Sequence, residues 1–147
     1  MDATIMAAVG AAVGSLVGGA ASIAATWLSG RTEKRQANAE WQLRELQSLY
    51  KDFIMEASRL TVDAMTHSLQ RPDQLVPLYG ILSRIRLISS NTVLAKAEDC
   101  CRRIVELYEQ PNMTSEQIHA AYEAHQLDPL KDFSETCRKE LLAISTS

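Results

Sequence analysis

Residues 43–64 read LRELQSLYKDFIMEASRLTVDA, and their apolar positions Leu43, Leu46, Tyr50, Phe53, Ala57, Leu60 and Ala64 recur every three or four residues. That interval follows the 3.6-residue turn of an α-helix, whereas a half-buried strand alternates every second residue. Lys51, Asp52, Glu56, Arg59 and Asp63 fall largely off the stripe, so one side suits burial and the other water. The stripe covers three heptads and would suit a coiled-coil seam, but its aromatic and alanine positions favour one face of a globular bundle. The segment predicts an amphipathic helix in an all-α domain.

The downstream sequence repeats this theme between punctuation marks. Pro72 ends the first helix, and Asp73-Gln74-Leu75-Val76-Pro77 starts the next, with Pro77 accommodated in a first turn where its missing N–H is not needed. Leu78, Ile81, Leu82 and Ile85 give that helix its face. Ser90 or Asn91 caps a third, whose face reads Leu94, Ala97, Cys101, Ile104 and Tyr108 before Pro111-Asn112 closes it. Thr114-Ser115-Glu116-Gln117 is a capping-box pattern for a helix carrying Ile118, Ala121 and Tyr122. Asp128-Pro129 opens the last, with Leu130, Phe133, Cys137, Leu141 and Ile144 as its stripe. All four prolines sit at expected helix boundaries, and no segment alternates with period two.

Upstream the chain changes character. Asp2 is the only charged residue before Arg31, and Ile5 to Leu28 is a run of 24 apolar and small residues. As a helix it measures about 36 Å, enough to cross a hydrocarbon layer of about 30 Å. A cleaved signal peptide would want a basic start and a shorter apolar run, whereas this chain begins Met-Asp and carries its cations afterwards, at Arg31, Lys34 and Arg35. The expected organisation is a transmembrane helix with a short tail over 1–30, a polar helical juxtamembrane linker over 31–42 with a kink at Gly30, and a cytoplasmic helical domain over 43–147. The basic flank predicts an outward N-terminus and a cytoplasmic C-terminal part, where Cys100, Cys101 and Cys137 stay thiols.

The span is sorted by size. Ala7, Ala11, Gly14, Gly18, Ala21 and Ala25 share a face with nothing larger than a methyl group, while Val9, Val13, Leu16, Ile23 and Trp27 lie about 200° away. Lipid offers no hydrophobic drive between helices, so association there depends on close backbone approach, which Gly10-x-x-x-Gly14-x-x-x-Gly18 permits. Close packing against a copy of itself or a larger membrane complex is therefore expected. Ser15, Ser22 and Thr26 share another side and form the pore-lining set of an alternative reading, a small oligomeric channel or transport component. Their hydroxyls can equally bond helix carbonyls, and no ionisable residue lies among them. Trp27, Arg31, Lys34 and Arg35 are placed to meet lipid headgroups and to set topology.

Chemistry is sparse. There is no C-x-x-C, H-x-x-x-H or H-E-x-x-H, and His119 and His125 fall on different sides of a helix, so neither a metal nor another cofactor is expected. No G-x-S-x-G or phosphate-cradling loop occurs, so the chain reads as no enzyme; a tethered enzyme or ligand-binding bundle is the weakest alternative. A net charge of -3 without a basic block, and aromatics at 5%, exclude nucleic acid as a main partner. Arg84 and Arg86 stand two apart in an apolar run, and one of them is expected to turn inward and pair with an acid such as Glu56 or Asp63.

The stretches LYKDFIMEASRL, LVPLYGILSRIRLISS, PNMT and DPLKDFSETCRKEL resemble those of a family of small proteobacterial single-pass membrane proteins with a helical cytoplasmic domain. The resemblance covers most of residues 49–141 and implies a bacterial inner membrane. That family has no assigned activity, so no functional residue carries over. The whole reads as a non-enzymatic membrane protein, held by membrane lipids and assembled through its span as a homo-oligomeric scaffold or an accessory subunit.

Overall fold

The computed structural model describes the backbone of residues 2–124 and 128–146, and the side chains of residues 34–124 and 128–146. Among these it is all-helical: α1 (Asp2–Thr66), α2 (Val76–Ile88), α3 (Asn91–Glu109), α4 (Ser115–Glu123) and α5 (Lys131–Ser145), with one 3-10 turn at Pro72–Leu75 and no strand. The chain divides into two compact units, Met1–Trp41 and Gln42–Ser147. The second is a helical bundle.

Local chemistry explains the boundaries. The Ser90 side chain accepts from the Val93 N–H at the start of α3, and the Thr114–Gln117 capping box is complete in both directions at the start of α4. Proline occupies the first turn of α2, where no intrahelical donor is lost. Asp128 Oδ1 accepts from the Leu130 N–H just before α5.

The direction of each helix follows from its pairings. Arg84 of α2 reaches Glu45 and Asp52 of α1, so α2 runs back along α1. The Tyr108 hydroxyl of α3 donates to Asp63 Oδ2 at 2.6 Å, near the far end of α1, so α3 runs forward again. Phe133 of α5 packs edge-on to Tyr50, with ring centroids 5.9 Å apart, and lies 4.5 Å from Phe53. Glu140, farther along α5, meets the start of α3 at Ser90, so α5 runs back. The second half of α1 with α2, α3 and α5 thus forms an up-down-up-down arrangement joined by short connections.

The core contains Leu46, Tyr50, Phe53, Ala57, Leu60 and Ala64 of α1, as the stripe predicts, but also Leu49, while Leu43 is only half-buried. Helix α1 is flanked on two sides, so its buried arc is wider than one seam. Helix α3 lies against both α2 and α5 and buries Cys100 as well as Cys101, although the two are about 100° apart. Each large side chain taken fully out of water contributes about 1.5–3 kcal/mol before entropy is counted.

Three expectations are corrected, the first being the end of α1, which lies at Thr66 and not at Pro72 because the stretch from His67 to Arg71 leaves the helix before the proline is reached. Neither Arg84 nor Arg86 turns inward: both are about half exposed, Arg84 beside Glu45 and Asp52, Arg86 at 3.0 Å from Glu98. Glu56 and Asp63 serve Arg59 and Tyr108 instead, which spares the bundle the cost of desolvating a guanidinium. Helix α4 forms as the capping box predicts, yet buries no residue, and Tyr122 is 73% exposed.

Candidate functional site

Ala7, Gly10, Ala11, Gly14, Gly18, Ala21 and Ala25, the alternative pore set Ser15, Ser22 and Thr26, the anchors Trp27 and Arg31, and the kink position Gly30 all lie outside the residues whose side chains are described. Lys34 and Arg35 are described and exposed. Among the described residues no helix is long and apolar enough to cross a membrane, and no group of three or more His, Cys, Asp or Glu could hold a metal ion.

The described bundle carries a feature that the sequence reading did not single out. A groove of about 470 Å³ runs between α1 and α5. Its apolar surface comes from Leu43, Ile54 and Met55 on one side and Leu141 and Leu142 on the other. Met55 is 64% and Leu142 58% exposed, so the walls stand open to solvent. The groove arises because Ile54-Met55 and Leu141-Leu142 each put a second large apolar residue beside the buried stripe, widening it beyond what the core covers.

Lys51 and Arg138 stand at the groove, and neither makes a hydrogen bond or ion pair with a described residue. Most of the bundle's other cations are engaged. The smaller cleft between α2 and α3, of about 400 Å³, holds Arg86 and Arg102, and these meet Glu98, Asp99 and Glu106. A third depression, between α1, α4 and the start of α5, is lined by Val62, Met65, Ile118, Tyr122 and Leu130, with Asp128 as its charged residue.

Beneath the α1–α5 groove, Tyr50 and Glu140 clasp the two helices to the α2–α3 junction. The Tyr50 hydroxyl bonds to Glu140 Oε2 and lies 3.1 Å from Ser89 Oγ, while Glu140 Oε1 accepts from the Ser90 N–H at 2.9 Å. Burial, reinforced by the Glu140 carboxylate, raises the Tyr50 pKa, so this hydroxyl stays protonated. Burial and the Asp63 bond do the same for Tyr108. Cys137 lines the groove, but burial pushes its thiol up to about 12, as it does those of Cys100 and Cys101, and a thiol that keeps its proton is a poor nucleophile. The tyrosine bonds tie the helices together; the groove itself offers mainly apolar surface, two positive charges and the uncharged polar groups of Gln47, Ser134 and Ser145.

The chain matches no protein-family model, no curated protein and no solved structure. The sequence signal that would have found the groove is the doubled apolar pairs on α1 and α5, each with a cation three or four residues before it: Lys51 before Ile54-Met55, Arg138 before Leu141-Leu142.

Proposed function

We infer that this chain is a non-enzymatic, single-pass protein of a bacterial inner membrane, whose Gly/Ala-rich span over Ile5–Leu28 packs closely with copies of itself or with a larger membrane complex. Its bundle is displayed on the cytoplasmic side. The observation that carries this reading is the sorted span: small residues on one face, with Gly10, Gly14 and Gly18 in register, and large ones on the other. The cations that follow it at Arg31, Lys34 and Arg35 support the orientation, and the three buried free thiols suit a reducing compartment.

The test is the particle mass of the full chain in native-like lipid, together with Gly14→Ile and Gly18→Ile. Assembly with itself or a co-purifying complex should be lost in both variants, since a bulky side chain holds the backbones apart. A strictly monomeric wild-type chain, or assembly indifferent to both substitutions, would overturn the reading.

A further inference from the structure

We propose that the groove between α1 and α5 is a docking site for an amphipathic helix of a partner protein, one that carries acidic residues beside its apolar face. The inference stands on the bundle alone and needs no membrane span, so it can fail or hold independently of the reading above.

Shape selects a rod. From Leu43 to Met55 the α1 side of the groove is about 18 Å long, three helical turns, which accommodates anchors at i, i+3 or i+4 and i+7 of a docked helix. The open walls at Met55 and Leu142 would leave a small amphiphile largely wet, whereas pockets for small molecules enclose most of their ligand. A flat bilayer surface would touch the rims and leave the floor unfilled. A helix reaches both.

Charge selects the partner. Lys51 and Arg138 sit at the edges of an apolar floor with no acid among the residues lining it. A second copy of this chain, docking by the same face, would bring two more cations and no carboxylate, and like charges at a contact are unfavourable. A helix with Glu or Asp flanking its apolar stripe supplies what the groove lacks: apolar side chains for Leu43, Ile54 and Leu141, and carboxylates for the two cations. The α2–α3 cleft, whose charges already satisfy one another, offers no such complementarity.

The experiment places a photo-crosslinking amino acid at Leu142, and at Tyr79 in the α2–α3 cleft as a control, in the full chain expressed in the cells that naturally produce it. Adducts are digested and the crosslinked peptide is sequenced by mass spectrometry. The expected product joins position 142, and not position 79, to one segment with apolar residues at helical spacing and acidic neighbours. Its yield should fall at least tenfold in Lys51→Glu/Arg138→Glu and survive in Lys51→Arg/Arg138→Lys. All of these side chains are exposed at the groove, so circular dichroism and the urea midpoint should stay unchanged. An adduct of twice the chain mass, an adduct with lipid, a basic or non-helical target, a yield indifferent to charge reversal, or no adduct at all would each overturn the proposal.

Discussion

Helices α3 and α4 are written in the same local language and end in different situations. Each begins at a hydroxyl cap, Ser90 for α3 and Thr114 for α4, and each places apolar residues at helical spacing. Yet α3 buries six residues between α2 and α5, whereas α4 buries none. The difference lies in length and neighbours. Nineteen residues reach along two packed helices, while nine residues make two and a half turns against the end of α1, where the chain is tied by the bond from the Met113 N–H to the Met65 carbonyl. A cap and a stripe license a helix; only a facing surface gives it a core.

The sharpest probe of that contrast is chemical. Burial lifts the thiols of Cys100, Cys101 and Cys137 from an ordinary 9.0 to about 12, which lowers the thiolate fraction near neutrality roughly a thousandfold. Alkylation by iodoacetamide at pH 8 should therefore be slower by about three orders of magnitude at these cysteines than at one introduced by Tyr122→Cys on α4. Equal rates would show that α3 opens as freely as α4. The same shift links stability to alkali. The unfolded chain loses these protons above pH 9 while the folded chain keeps them, so the contribution is complete below pH 9 and declines as the pH rises toward 12.

Truncation measures the packing itself. Ile104→Ala, in the fully buried face of α3, should cost about 2–5 kcal/mol by urea unfolding of the full chain in mild detergent. Ile118→Ala, at a half-buried position of the mostly exposed α4, should cost less than about 1 kcal/mol. Comparable losses would place α4 inside the cooperative core and end the distinction.

The smallest effect is expected at the cap. Thr114→Ala removes the acceptor for the Gln117 N–H and should weaken α4 by about 1 kcal/mol. Hydrogen exchange should report faster exchange confined to the amides of α4, with the urea midpoint of the bundle nearly still. An equal fall in both would mean that α4 unfolds only with the rest.

How much of this was readable in the chain differs by element. The helices of the bundle were legible because their signals are short-range: Pro72, Pro77, Pro111 and Pro129 act on their own turn, and Ser90 and Thr114 bond three residues ahead. The burial of Leu49 and Cys100 was not, because each lies off the stripe that the local spacing marks, and only the packed bundle takes it out of water. The partners of Arg84 and Arg86 escaped for a related reason. An apolar run suggested an inward guanidinium, but Glu45 and Glu98 stood within reach at the surface, where pairing requires little desolvation.

The sequence by itself determined that the bundle is helical, which residues form its main stripes and, apart from the stop of α1 at Thr66, roughly where its helices begin and end, since hydrogen bonds and caps act within a turn or two. Tertiary structure alone decided that α4 lies shallow and that Tyr50 and Glu140 join across 90 positions. It likewise brought Lys51 and Arg138 to one apolar groove. Those outcomes depend on distances between residues far apart along the chain, and such distances exist only after packing has chosen which faces meet.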